Sequence, residues 1–315
     1  MSNLAKHVPV MQNESLNALK IQKAGIYVDA TFGFGGHSQA ILSKLDEEGR
    51  LYAIDKDTSA IELADKRIIK DERFTLKQGC FSSLESFSKE WGIQGSVNGI
   101  LFDLGVSSEH LENPKRGFSF LREGPIDMRF DQSSGNSAGD WLASVSENTL
   151  AKIIKEYGDE RYAKRIAKGI VTERVKERIN TTKDLVNIIN KAIPKNETKK
   201  HNATRTFQAI RIHINQELET LKKSLEKTYN ILAPKGRLVL ITYHSLEERI
   251  IKDFITLTDK SLSAPKDLPL TEQFLTKMFK IINKPLKPTD EEIEINKKSR
   301  SAKLNVLEKY NENNS

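Results

Sequence analysis

Two acidic residues and a glycine cluster, set at telling distances, carry the chemistry of this sequence. Asp29 stands just ahead of Gly33-Phe34-Gly35-Gly36-His37, Asp55 follows 20 residues after Gly35, and Asp103 closes a later apolar run before Leu104-Gly105. Glycine lets the backbone approach a ligand closely, and a helix that starts beyond it offers free N–H donors to the polar or anionic part of a nucleotide-like molecule. An acid at the end of the next strand can accept hydrogen bonds from both hydroxyls of a ribose. Phe81, after Gln78-Gly79-Cys80, offers an apolar ring to an adenine. Asp103 adds a carboxylate that can hold an amine N–H or take up a proton.

These residues need a scaffold that brings strand ends together, and the hydrophobic pattern supplies one. Tyr27 to Ala30, Arg50 to Asp55, Phe74 to Lys77, Asn98 to Gly105 and Arg237 to Tyr243 read as strands. Helical segments are expected over Ser15 to Lys23, Ser38 to Leu45, Thr58 to Ile69 and about Phe207 to Leu232, with Met278 to Pro285 and Ser301 to Glu308 as last strands. Ala233-Pro234-Lys235-Gly236 reads as a tight turn. Ser245, with Glu248 three residues on, reads as a capping box opening a helix to about Leu257. Strands alternating with helices predict an α/β fold, a mainly parallel Rossmann-like sheet. Ligands bind such a sheet at the carboxyl ends of its strands, where the chain order reverses.

Between Ser107 and about Phe207 the alternation stops. A long irregular stretch holds Arg116-Gly117-Phe118-Ser119-Phe120 and Gly124-Pro125-Ile126-Asp127-Met128-Arg129-Phe130, and a helical pattern follows from Trp141 to Ile193. Loops of that length in a compact enzyme usually serve function. The organisation expected is a first part over 1–108, a helical insertion over 109–211 and a second part over 212–315.

Charge singles out the same region. The 315 residues carry a net charge of +7, and Ala151 to Arg211 alone hold 16 Lys and Arg against 7 Asp and Glu, which points to a polyanion, most simply nucleic acid. Arg205, Arg211, Lys199 and Lys200 are candidates for phosphates. Phe118, Phe120, Arg129 and Phe130 are candidates for holding a base turned out of its stack. One cysteine, Cys80, excludes an internal disulfide framework and a multi-cysteine zinc site. The apolar runs are strand-length and Met1 to Ser15 lack a signal-peptide pattern. The expectation is a soluble cytoplasmic protein with no membrane contact. No Cys, His and acid cluster has metal-ligand spacing.

Blocks spread along nearly the whole chain resemble the bacterial RsmH (MraW) family of S-adenosylmethionine-dependent 16S rRNA cytosine-N(4) methyltransferases. They are His7-Val8-Pro9-Val10, Asp29-Ala30-Thr31 with Gly33 to His37, Asp103-Leu104-Gly105-Val106-Ser107-Ser108, Arg116 to Phe120 and Gly124 to Arg129. Ala203-Thr204-Arg205-Thr206-Phe207-Gln208-Ala209, His244-Ser245-Leu246-Glu247 and Arg300-Ser301-Ala302-Lys303-Leu304 complete the set, in the family's order. The resemblance implies a methyltransferase domain interrupted by a substrate-recognition insertion. It implies S-adenosylmethionine (SAM) as cofactor and a decoding-centre cytosine of 16S rRNA, in the small ribosomal subunit, as substrate. The SAM contacts it implies are Gly35, Gly36, His37, Asp55, Phe81 and Asp103. His110 stands where the family normally has a glutamine.

Two other classes remain open from the residues alone. An NAD-dependent oxidoreductase would use the same sheet but calls for a third glycine and a hydride-side histidine or lysine. A non-enzymatic RNA-binding or ribosome-assembly protein would leave Asp55 and Asp103 without purpose. The chain lacks the Asn/Asp-Pro-Pro-aromatic clamp usual in amino-methyltransferases, so the assignment of Asp103 as the catalytic residue rests on its place at a strand end.

Overall fold

A computed structural model describes residues 9–64, 66–194, 201–259 and 278–310. His7, Val8, Lys199 and Lys200, singled out above, lie outside the described residues. Two compact units divide the chain. Met1–Gly105 with Leu218–Ser315 form the first, and Val106–Glu217 the second.

The first unit is built on a seven-stranded sheet. Its strands are β1 (Ile26–Asp29), β2 (Arg50–Asp55), β3 (Phe74–Gln78), β4 (Val97–Asp103), β5 (Leu232–Thr242), β6 (Phe279–Ile281) and β7 (Lys303–Lys309). They lie in the order β3-β2-β1-β4-β5-β7-β6. The five strands β1 to β5 pair in parallel, and β7 runs antiparallel to both β5 and β6. The α/β fold expected from the sequence is thus present, with an antiparallel edge. Chain order reverses between β1 and β4, which is where an open α/β sheet places its ligand.

Both faces of the sheet are covered, and this is why its strands read as continuous apolar runs rather than alternating ones. Ile100, Phe102, Leu238 and Leu240 point into one core with Leu221 and Leu225 of α12 (Glu217–Ile231) and Ile251 of α13 (Ser245–Thr258). Their neighbours Leu101, Val239 and Ile241 point into the opposite core. There they meet Met11, Leu19 of α1 (Gln12–Leu19), and Ile41 and Leu42 of α2 (Gly36–Leu42).

Local chemistry moved several expected boundaries. The helix expected from Thr58 to Ile69 is two pieces, α3 (Thr58–Glu62) and α4 (Lys66–Ile69). The long helix after the insertion breaks at Gln216, whose φ of 52° ends α11 (Ala203–Asn215) before α12 begins. Residues 233–236 are not a separate turn ahead of β5. They bulge from within it, because Val97 pairs with Leu232 while Gly99 pairs with Arg237. The helix after β5 starts one residue earlier than the Ser245 and Glu248 box predicted. His244 is its N-cap, and the Glu247 carboxylate accepts the backbone N–H of Tyr243 at 2.7 Å and of His244 at 3.1 Å. Glu248 is turned inward instead, accepting from Thr242 and from Asn305 at 3.0 Å.

The second unit packs α7 (Ala138–Ser144), α8 (Glu147–Gly158), α9 (Ala163–Lys176), α10 (Thr182–Ala192) and α11 around Leu142, Leu150, Ile154, Ile166, Ile170, Leu185, Ile189 and Ile210. A short helix, α6 (Ser108–Glu112), opens the unit. The irregular stretch that follows is tightly fixed. Gly117 has a φ of 72°, and a Cβ there would lie 2.3 Å from the Pro125 carbonyl oxygen, so only glycine fits. The Thr182 N–H donates to the Gly124 carbonyl at 2.9 Å, tying this stretch to α10.

Candidate cofactor site

The loop after β1 is set by backbone pairing with both neighbouring strands. Ala30 donates its N–H to Leu101 of β4 and Phe32 donates to Ile54 of β2, each at 2.9 Å. The chain then turns through Gly33 (φ 54°) and Gly35 (φ 74°), the latter serving as N-cap of α2. A Cβ at Gly35 would strike the Phe32 ring at 2.8 Å, and one at Gly36 would strike Pro9 at 2.4 Å. A Cβ at Gly33 would meet nothing within 4 Å, so the space above this residue is open.

Asp29 fixes the loop from beneath. It is fully buried, with its Oδ2 accepting the Ser38 hydroxyl at 2.6 Å and its Oδ1 accepting the Thr31 N–H at 3.2 Å. Burial raises its pKa above the ordinary carboxylate value, against the opposing pull of Ser38 and His37. Its work is to hold β1 to α2.

Asp55, at the end of β2, reaches across to the glycine loop. Its Oδ2 accepts the Gly33 N–H at 2.6 Å and its Oδ1 accepts the Asp57 N–H at 2.8 Å. A carboxylate oxygen accepts along two lone-pair directions, which is the chemistry a ribose diol needs. Phe81 opens a short 3-10 turn beyond β3 and meets the Phe102 ring edge-on at 5.5 Å. Its ring is only partly buried.

Asp103, at the end of β4, sits at the other side of the switch point. Its N–H donates to the Thr31 hydroxyl at 2.7 Å, which locks the two strand ends together. The Tyr243 hydroxyl donates to Asp103 Oδ1 at 2.7 Å, and His37 Nε2 lies 3.6 Å from Oδ2. His37 is buried, and neither ring nitrogen has a hydrogen-bond partner among the described residues. Burial disfavours a charged ring, but the nearby Asp103 and Asp29 outweigh it and raise the His37 pKa. Burial together with the Asp103 charge pushes the Tyr243 phenol well above its usual value, so it stays a donor.

The structure therefore gathers Gly35, Gly36, His37, Asp55, Phe81 and Asp103 at the carboxyl ends of β1 to β4. Sequence reasoning missed Thr31 and Tyr243. The available signal was position, since each polar group lies within two residues of the end of a strand neighbouring β4. An adenosine with a charged sulfonium tail fits this residue set: open space over Gly33, a carboxylate at the end of β2, a part-buried ring, and a second carboxylate beyond.

The second unit holds the remaining candidates, and their side chains are heavily engaged. His110 Nδ1 accepts the Ser107 N–H at 3.1 Å, and its ring packs against Phe118 at 4.7 Å and Phe130 at 5.1 Å. Phe118 and Phe130 also stack on each other at 5.6 Å. Phe120 stacks on His201 at 4.6 Å and meets Phe207 edge-on. Arg129 is held by both oxygens of Asp127 (3.0 and 2.7 Å) and by the Gly135 carbonyl (2.9 Å). Arg211 makes a two-pronged pair with Glu217, both bonds at 2.8 Å. Such pairing consumes the charge that a phosphate would need. Arg205, in the first turn of α11, makes no ion pair among the described residues.

Among the described residues no helix is long and apolar enough to cross a membrane. The model of the family described as "MraW methylase family" matches residues 4–310. A protein of Nitrosococcus oceani named "Ribosomal RNA small subunit methyltransferase H" is 46% identical over 309 residues, covering 98% of each chain. A protein of the same name from Buchnera aphidicola subsp. Schizaphis graminum is 47% identical over 312 residues, 98% of this chain and 99% of that one. A solved rRNA methylase from Streptococcus thermophilus overlaps 98% of this chain and 100% of its own, at 12% identity and a TM-score of 0.43; that distant likeness adds nothing to the assignment. A methylase family leaves no place for hydride transfer. With its sheet, its glycine loop and near-complete coverage by relatives, the chain belongs to the MraW methylase family, and its methyl donor is S-adenosylmethionine.

Proposed function

We propose that this protein methylates the exocyclic N4 amine of a decoding-centre cytosine in the 16S rRNA of the small ribosomal subunit. The names of its two relatives support ribosomal RNA of the small subunit as the substrate class. The reaction would then take place in the cytoplasm, where that subunit is assembled.

The observation that carries the reading is the pair of carboxylates flanking one glycine loop. Asp55 lies within 2.6 Å of the loop's Gly33 N–H, and Asp103 ends the strand on the other side. Asp55 binds the ribose hydroxyls, Gly35 and Gly36 admit the ligand to the backbone, and Phe81 packs against the adenine. When bound, SAM supplies a methyl group already activated on a sulfonium, so the protein's task is mainly positioning.

A cytosine amine is a weak nucleophile because its lone pair is delocalised into the ring. Asp103 accepts one amine N–H, which localises that pair, and takes up or passes on the proton released after transfer. The Tyr243 hydroxyl holds Oδ1 and leaves Oδ2 to face the reactants. His37 sets the charge beside Oδ2. His110 keeps its ring packed against Phe118 and Phe130 within the second unit.

Replacing Asp103 by alanine should abolish methyl transfer to purified small subunits while the circular dichroism spectrum is unchanged. Full turnover by that variant would remove the residue from the site.

A further inference from the structure

One face of α9 is built almost wholly of cations. Lys164, Arg165 and Lys168 are exposed and lie three and four residues apart, on one side of the helix. Arg161, in the turn just before, is exposed as well. The opposite side carries the buried Ala163, Ile166, Ala167 and Ile170, so the cationic face points away from the unit's core. Exposed Thr172, Val175 and Lys176 continue it toward the end of the helix.

Three of these cations, Lys164, Arg165 and Lys168, have no acid paired with them among the described residues. The nearest acids in sequence are Asp159, which pairs with Lys155 at 3.7 Å, and Glu160, which is buried and accepts the Tyr162 N–H at 2.9 Å. Glu173 pairs with Lys176 at 3.0 Å. The Arg161 and Arg165 guanidiniums each lie 5.6 Å from the Tyr162 ring, which holds both forks beside one aromatic plate.

The arrangement costs stability in two ways. The first turn of α9 contains no acidic residue and its N-cap, Tyr162, makes no side-chain cap hydrogen bond. The helix's positive end therefore faces Lys164 and Arg165, where cations are unfavourable. Like charges four apart, Lys164 with Lys168, repel as well. A solvated face has no need of either penalty, whereas a polyanion lying along the helix relieves both.

We propose that the face formed by Lys164, Arg165 and Lys168 is a docking surface for the phosphate backbone of the RNA substrate. Charge complementarity fixes the occupant: three cations within the first two turns match a run of consecutive phosphates and offer no apolar groove for a protein helix. Such contacts anchor and orient the RNA without reading its sequence. This inference rests on the proposed RNA substrate.

The test is the triple variant Lys164→Gln, Arg165→Gln, Lys168→Gln of the full chain, beside a control that removes three exposed cations from the other unit (Lys44→Gln, Lys222→Gln, Lys223→Gln). Filter binding of transcribed 16S rRNA is measured over a range of salt, and KM and kcat are measured on small subunits from cells lacking the protein. The expected results are affinity at least tenfold weaker, a plot of log affinity against log salt shallower by about two to three units, and KM raised with kcat kept. The melting temperature should hold or rise, and the control should be near wild type. Unchanged affinity and slope overturn the proposal. An equal loss in the control does so too, since net charge would then be the cause. Retention on anionic lipid vesicles with no change in RNA binding would assign the face to a membrane and overturn it as well. The binding arm does not depend on methyl transfer, so a wild-type protein that binds RNA through this face yet methylates no subunit would sink the proposed reaction and leave the docking surface standing.

Discussion

The Tyr243 hydroxyl, at the end of β5, donates a 2.7 Å hydrogen bond to Oδ1 of Asp103 at the end of β4. Neighbouring parallel strands thus deliver an acid and the donor that orients it to one point. Asp103 is 25% exposed, so water can replace a lost donor. We expect Tyr243→Phe to slow transfer by about tenfold, the low end of what one hydrogen bond to a charged group is worth, because water takes the vacated place. Single-turnover rates check this, and a complete loss would show that the phenol itself takes part in the chemistry.

The glycine loop gives a second prediction. Alanine at Gly33 costs about 1 kcal/mol for the left-handed backbone, and its methyl enters the open space above the loop. Gly33→Ala should therefore fold normally and bind SAM at least tenfold more weakly by calorimetric titration. Unchanged affinity would place the ligand elsewhere.

His37 predicts a pH dependence. Burial opposes the charged ring, yet Asp103 and Asp29 hold its pKa above the ordinary histidine value. A raised histidine pKa stabilises the folded state fully below the unfolded value of about 6.5, and the benefit fades as pH climbs through the folded value. The loss in melting temperature caused by His37→Gln should be larger at about pH 5.5 than at about pH 9. An equal loss at both would mean the ring stays neutral throughout.

Asn215 predicts the stability of the second unit. Its buried amide donates to the Met128 carbonyl at 2.7 Å and accepts the Phe130 N–H at 2.8 Å, pinning the irregular stretch to the end of α11. Asn215→Ala strands the buried Met128 C=O, at about 1–3 kcal/mol, and leaves the Phe130 N–H at a part-buried position that water can serve. Denaturant melts should show a loss in that range, with faster hydrogen exchange at Phe130.

The sheet was legible in the sequence because both its faces are buried, which turns β2, β4 and β5 into unbroken apolar runs ending in acid or polar residues. Asp55 and Asp103 could be named for the same reason. The boundaries were harder to read. Gln216 breaks a helix in a left-handed conformation that its residue type does not announce. Glu247 and Glu248 are adjacent acids, and only the packing shows that the first caps α13 while the second faces Thr242 and Asn305. Arg129 read as a base-holding residue and Arg211 as a phosphate ligand, and composition cannot reveal that each has an acidic partner. Asp127 lies two residues from Arg129, and Glu217 lies one helical break beyond Arg211. The charge excess of 151–211 pointed to a polyanion, and only the buried side of α9 shows which of its cations share one exposed face.

The most direct measurement incubates small ribosomal subunits, purified from cells lacking this protein, with the protein and isotope-labelled SAM, and maps labelled nucleotides of the 16S rRNA by mass spectrometry. A single labelled N4-methylated cytosine at the decoding centre is the result expected, lost with Asp103→Ala. An absence of label in that RNA, or label confined to a different base, would contradict it.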